Sequence, residues 1–357
     1  MTLDIYTPRR LALIQQEESQ TVRASQWLNM FYPNTFNSDQ EQIMFDKIDA
    51  SREIAPFMLP NLPGKPIYRR DGERIEMFTP AYTKPKDSVE PGMGMKRTGA
   101  ELVGRTPQMS PQARIAAAVG DITRKHIDGI VRLWEYMGAR SVIDGTFTVR
   151  YTDNPAHDVT LDFGRDPGHT IVKGAGTKWG DAGVSAWDDV QEWVDTVSAA
   201  DYGATPTDIF MGATAWKAFI ADADVQKRLD RDVKGVEQTM LDQNLIVKDK
   251  MRPWTLMGMF GTIRVWLVSG IGNTFQSGGN RVDILKSNEV FIASAAVDGV
   301  RAFGAIRDLD SLEAVEIFPS TWTEKDPSRR FLMHQSAPLM IPVNLNATLR
   351  ATPVDLP

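Results

Sequence analysis

The run from Pro111 to Gly145 constrains the fold of this chain more than any other stretch. Ile115, Val119, Ile122, His126, Ile130, Leu133 and Met137 recur at steps of three and four, which lines them along one face of an α-helix. Arg114, Asp121, Arg124, Lys125, Asp128, Arg132, Glu135 and Arg140 fall on the other faces, so the expected helix is half buried and does not span a membrane. Ser110 followed by Pro111 reads as an N-cap with proline at the first helical position, and Gly145 as the stop. At 1.5 Å per residue such a rod reaches about 50 Å, longer than an ordinary globular core uses. The remaining segments have to be organised around its ends.

The 357 residues, 42% of them hydrophobic, are enough to bury a sizeable core in two domains or one elaborated domain. The absence of cysteine excludes disulfides and thiolate metal sites and favours an intracellular origin. Lys plus Arg number 40 against 46 for Asp plus Glu, a formal charge of −6, which argues against a wide phosphate-gripping surface. The opening MTLDIYTPRR carries an acid and no apolar segment, so it is not a signal peptide. The most membrane-like run, Trp254 to Gly272, has Arg264 at its centre and is broken by Thr, Gly and Ser. It reads as a β-hairpin.

Residues 1–61 read as an arm. Thr7 and Pro8 open a short helix over Arg9 to Glu18, an apolar patch follows at Trp27, Leu28, Met30, Phe31 and Tyr32, and Gln42 to Ile48 alternates weakly. With no local partner for the aromatics, the expected partner is a neighbouring subunit. Residues 62–106 form an extended loop rich in Pro, Gly and Thr. Ile67–Arg70 and Arg74–Phe78 flank Asp71-Gly72, a hairpin signal, and the prolines at 80, 85 and 91 forbid a central strand. From 62 to 105 there are nine Lys or Arg against six acids, opposite to the whole chain. A loop of this length needs an outside partner to give it order, and an acidic neighbouring subunit would suit its charge.

Past the long helix, Thr146–Tyr151 and Asp158–Phe163 read as a hairpin around Asn154-Pro155. Ser185 caps a helix with Trp187, Val190, Val194 and Val197 on one face. Asp208–Met211 is a strand, Ala213–Ala221 a helix, Gln226–Leu245 partly helical, Trp254–Phe260 with Thr262–Val268 a hairpin, and Glu289–Ala293 a strand. Residues 187–304 therefore read as an α/β lobe. From Val315 onward, EIFPSTW and FLMHQSAPLMIPVNLNATLR are expected as strands that return to the first sheet, beside the helix.

None of this brings an active site into view. The four histidines (126, 157, 169 and 334) lack metal-ligand spacing, and His126, on the apolar stripe, reads as a satisfied core histidine. Asp308 and Asp310 fit a solvated turn better than a cation site. GAGTKWG at 174–180 has no helix directly behind it, as a dinucleotide loop would require. His334 and Ser336 share a face of an expected strand without the rest of a triad signature. The sixteen methionines suit packing surfaces that re-register. The expectation is a non-enzyme with no cofactor and no metal.

Five stretches, in order, are FTPAYTKPK (Phe78 to Lys86), LDFGRD (Leu161 to Asp166), GTKW (Gly176 to Trp179), FPSTW (Phe318 to Trp322) and DPSRRFLMHQSAPLMI (Asp326 to Ile341). Together they resemble the lambda-like branch of tailed-phage major capsid proteins, from about Trp27 to Pro342 and most weakly across the α/β lobe. The resemblance implies an α+β Hong Kong 97-type capsid fold: N-terminal arm at 1–61, E-loop at 62–106, P-domain with spine helix at 107–186, A-domain at 187–304, and P-domain return strands at 305–357. It implies a structural head protein that assembles as hexamers and pentamers into an icosahedral shell around double-stranded DNA. Scaffolding protein, portal and a decoration protein would be its partners, its DNA contact would be weak and non-specific, and no membrane would be involved. Assembly in the host bacterial cytoplasm and residence in the virion follow from the same likeness. The motif residues Phe78, Thr79, Pro80, Tyr82, Lys84, Pro85 and Lys86 would make E-loop contacts to the adjacent subunit. Asp326, Pro327, Arg329, Phe331, Gln335, Ser336, Ala337, Pro338, Leu339 and Met340 would form the P-domain motif. Lys84 or Lys86 with Asn344 or Asn346 would be formal candidates for the covalent link some members of the wider fold make, which the lambda-like branch is not expected to form. An encapsulin-like compartment is the alternative.

Overall fold

A computed structural model describes residues 26–40, 42–47, 74–95, 110–151, 155–200, 204–228, 254–270, 273–277, 280–308 and 314–356. The expected helix over Arg9 to Glu18, the strand at 67–70 and most of 226–245 lie outside them. The long helix runs Pro111–Asp144, with the Ser110 hydroxyl accepting from the Ala113 amide at 3.2 Å. Gly145 closes it in the left-handed region at φ 74°, its amide donating to the Ser141 carbonyl. The buried face follows the expected stripe at Val119, His126, Ile130 and Met137, whereas Ile115, Ile122 and Leu133 stay half-buried. Thr123, Ile127 and Trp134 fill the adjoining positions, and toward the end of the helix Ala139, Ser141, Val142 and Ile143 are buried while Arg140 and Asp144 are partly so.

Eighteen strands are described: β1 (Asn34–Asn37), β2 (Ile43–Lys47), β3 (Arg74–Phe78), β4 (Lys86–Val89), β5 (Thr146–Val149), β6 (Val159–Asp162), β7 (Thr170–Val172), β8 (Asp208–Gly212), β9 (Trp254–Phe260), β10 (Ile263–Val268), β11 (Thr274–Ser277), β12 (Asn280–Asp283), β13 (Val290–Ala293), β14 (Val300–Phe303), β15 (Phe318–Glu324), β16 (Arg329–Gln335), β17 (Pro338–Ile341) and β18 (Thr348–Thr352). The largest sheet has the order β7-β18-β13-β8-β10-β9. Its central strands, DIFMG and VFIA, are buried on both faces, as strands covered on two sides must be. Alternation sorts their side chains. Ile209, Met211, Val290 and Ile292 face Val190, Trp193 and Val197 of the Ala186–Ala199 helix and Ala215 and Phe219 of Ala213–Ala221. Phe210 and Phe291 face the other way.

That second face is where the N-terminal aromatics go. Trp27, Leu28 and Phe31 belong to a short helix, Gln26–Phe31, and are all but fully buried. Trp27 lies 5.1 Å from Phe210 and 4.9 Å from Trp254 between ring centroids, and Phe31 lies 6.1 Å from Phe291. The patch expected on a neighbouring subunit is therefore part of this chain's own core, a correction to the reading of 1–61 as an arm throughout. Each such aromatic removes roughly 150–250 Å² from water, and Phe210 and Phe291 share one buried cluster with them and with Ile130, Met137 and Val142 of the long helix.

The return strands also pair differently from expectation. β5 and β6 form the expected hairpin, but as a two-stranded sheet, and no strand after Val315 joins it. Instead β15 and β16 pair with β4, β17 pairs with β14, and β18 inserts between β7 and β13 of the largest sheet. The α/β sheet thus takes strands from 170–172 and 348–352 as well as from the lobe. Five buried or half-buried charges fasten it to the end of the long helix: Arg140 and Arg350 each reach both Asp144 and Glu289, and Arg165 donates to the carbonyls of Val142 and Ile143 and to the Thr348 hydroxyl. Burial pushes the Arg165 guanidinium down to about 10, against the pull of Asp144, so it remains a cation at the negative end of the helix.

Candidate functional site

The two longest sequence motifs, Phe78 to Lys86 and Asp326 to Met340, lie side by side. β4 is the edge strand of a three-stranded sheet whose middle strand is β16, with Lys86 opposite Met333 and Val89 opposite Arg330. An edge place suits a strand that begins directly after Pro85. Just before it, Thr83 and Ser336 exchange backbone hydrogen bonds of 2.9 and 3.1 Å, and the His334 amide donates to the Pro85 carbonyl. The strand β3, expected to pair with 67–70, pairs with β2, and Phe78 opposes Ile43.

Side chains extend the contact. Phe78 is buried in the main core, its ring 5.4 Å from that of Phe163. Pro80 packs where a Cβ on Gly304 would stand, 2.7 Å away. The Tyr82 hydroxyl donates to Gln335 Oε1 at 2.9 Å and accepts from the Arg307 amide at 3.1 Å, while Gln335 Nε2 donates to Asp308. Burial raises the Tyr82 phenol above its ordinary range, so it stays a donor at neutral pH. Lys84 stands over the Tyr82 ring and Lys86 over Phe331 and Trp322. Thr79, Lys84 and Lys86 are exposed.

In the second motif, Asp326 and Pro327 occupy the exposed turn of the β15–β16 hairpin, joined by a cis peptide bond. Arg329 pairs with Glu324 directly across that hairpin. Phe331 stacks on Trp322 at 5.2 Å. The Ala337 carbonyl accepts from the Gly304 amide, Pro338 opposes Phe303, and Leu339 and Met340 are fully buried. Of the formal cross-link partners, Asn344 donates its amide side chain to the Ala296 carbonyl and Asn346 accepts from the Asp166 amide.

Sequence reasoning missed a polar chain behind this sheet. His126 of the long helix puts Nδ1 2.9 Å from Nδ1 of His334 on β16, and Nε2 3.0 Å from the Asp87 carboxylate on β4. His126 is the buried core histidine the stripe called for, but its partners come from two distant segments that no periodicity relates to it. Glu135, assigned to a solvated face, is likewise buried and accepts from the amides of Trp27 and Leu28 at 2.7 and 3.2 Å. GAGTKWG is a turn that seats Trp179 on Trp193, with its indole N–H on Asp189. Among the described residues no group of three His, Asp or Glu could hold a metal ion, and no helix is long and apolar enough to cross a membrane.

The arrangement joins the segment from Phe78 to Val89, the long helix and the β15–β16 pair into one unit. Residues 11–353 match the family described as phage major capsid protein E. The chain is 26% identical to the major capsid protein of Escherichia phage lambda, over 88% of this chain and 90% of that one. It is 26% identical to the major capsid protein of Enterobacteria phage P21, over 95% and 96%. Among solved structures, a prophage protein of Escherichia coli CFT073 assigned as a capsid protein superposes with a TM-score of 0.71 at 17% identity, covering 97% of this chain and 99% of that one. The mature capsid of bacteriophage PhiM1 gives 0.51 at 11%, covering 94% and 89%.

Proposed function

Because this chain belongs to the phage major capsid protein E family, we propose that it is a structural head protein, assembling as hexamers and pentamers into the icosahedral shell that encloses phage double-stranded DNA. The observation that carries this reading is a family match over nearly the whole chain, to relatives named as major capsid proteins. Those names favour a viral shell over an encapsulin-like compartment. The family is structural and not an enzyme class, and its place is the virion.

In this reading 62–106 is the E-loop, the long helix and the β15–β16 pair belong to the P-domain (107–186 and 305–357), 187–304 is the A-domain, and the arm is what precedes Gln26. The flap-base contacts of Phe78, Pro80 and Tyr82 fix the E-loop to its own subunit. The exposed Thr79, Lys84 and Lys86 are the members of that motif left to meet a neighbour. The excess of cations at 62–105 suits an acidic surface on that neighbour. Scaffolding protein, portal and a decoration protein are the further partners, and assembly takes place in the host bacterial cytoplasm. The charge of −6 supports weak contact with DNA, since a wall that bound phosphates tightly would hold the incoming duplex.

Co-expression with the scaffolding protein, followed by sedimentation and negative-stain microscopy, tests the reading. Closed hollow particles are expected. A monomer that stays soluble at every concentration with scaffold present would contradict it.

A further inference from the structure

The chain Asp87–His126–His334 crosses three elements, and its hydrogens can be counted. Asp87 accepts, so His126 Nε2 carries a hydrogen, and the 2.9 Å contact between the two Nδ1 atoms has room for one more. With the pair neutral, His334 supplies that hydrogen and keeps a bare Nε2. One added proton still leaves a single hydrogen between the two Nδ1 atoms, so the contact survives it. A second would place two N–H donors face to face, on rings whose centroids are 5.0 Å apart. His334 is 1% exposed, and its Nε2 has no protein partner among the described residues.

We propose that His126 and His334 form an acid-operated latch: doubly protonated, they can no longer bond, and the long helix releases β16 together with the flap-base strand β4. The other charges on the packed elements are Lys86 on β4, Glu90 just after it, Glu324 on β15, Arg329 and Arg330 on β16, and Arg114, Asp121, Arg124, Lys125, Asp128, Arg132, Glu135, Arg140 and Asp144 on the helix. Among the described residues Asp87 alone is within hydrogen-bond distance of either imidazole. Desolvation, and after it the charge on His126, pushes His334 down to about 3. Opening returns it to the ordinary range near 6.5. The open state therefore takes up a proton that the closed state refuses between those two values, so the closed latch is at full strength above about pH 6.5 and weakens as the pH falls toward 3. The opening constant should rise about tenfold per pH unit across that window. This is a property of the subunit and stands whether or not it builds a shell.

Hydrogen exchange of the full chain, followed by mass spectrometry and corrected for the pH dependence of chemical exchange, reads the opening directly. Peptides covering 86–90 and 329–336 should open about fifty-fold more at pH 4.5 than at pH 6.5, while peptides covering β8 and β13 do not. In His334→Phe, which keeps a ring and loses the titration, the rise should vanish. His334→Asn, which retains a polar group toward His126, serves if the Phe variant does not fold, and the wild-type comparison decides alone if neither does. A flat wild-type response overturns the proposal. So does an equal rise in β8 and β13, which would be general acid unfolding, or an undiminished rise in a folded variant.

Discussion

Glu135 shows how much one residue can change the layout of this chain. Its carboxylate takes the place of an N-cap for the Gln26–Phe31 helix, accepting from two amides that helix geometry leaves without partners. Without it, those amides would be buried and unpaired. Glu135→Ala should lower unfolding stability by about 2–4 kcal/mol, measured as a shift in the denaturant midpoint at unchanged slope. Tyr32 reinforces the same junction. Its hydroxyl donates to the Gly138 carbonyl at 2.8 Å, and burial followed by the nearby Glu135 charge pushes the phenol well above its ordinary range, so it remains a donor. Gly138 lets the two helices approach closely, since a Cβ there would stand 2.6 Å from a Leu28 methyl and force that side chain to shift. None of this is legible locally. A glutamate at a solvated heptad position and one at a buried cap look alike in sequence, and the difference lies in a partner more than a hundred residues away.

Elements were easier to find than their partners. The caps and stripe of the long helix, the Ala213–Ala221 helix, and the hairpins at 146–162 and 254–268 follow from spacing and turn chemistry, which are local. Pairing is not local. The Trp27 patch shows the limit, since its aromatic composition announces burial without saying against which surface. Trp27→Ala should cost about 3–5 kcal/mol of subunit stability in chemical denaturation; a loss under 1 kcal/mol would return the patch to the role of an outside anchor. The lock between the long helix and β18 offers a second test. Arg350→Leu would leave Glu289, 1% exposed, with part of its positive counter-charge gone, and should destabilise the subunit by about 3 kcal/mol. Thermal unfolding of the two variants should show both losses in the free subunit.

At the scale of the whole molecule, the two motifs that suggested a shell protein turn out to be one joint. The flap's base is stapled to its own β16 and core through Phe78, Tyr82 and β4, so a variant lacking 66–103 would lose subunit stability as well as any intersubunit contact. A cleaner separation uses the exposed residues. Lys84→Ala with Lys86→Ala should leave the subunit's unfolding midpoint within about 0.5 kcal/mol of wild type while lowering the temperature at which assembled shells come apart. Tyr82→Phe, which loses bonds to Gln335 and Arg307, should do the reverse and weaken the subunit first. The most direct test of the account is a cryo-electron reconstruction of the particles formed by the full chain with its scaffold. It should show an icosahedral shell of hexamers and pentamers in which Gln26–Phe31 packs under its own six-stranded sheet, β4 pairs with β16 of the same chain, and Lys84 and Lys86 face an adjacent subunit. Open aggregates or free monomers, or a closed shell with the Gln26–Phe31 helix seated in a neighbour, would contradict it.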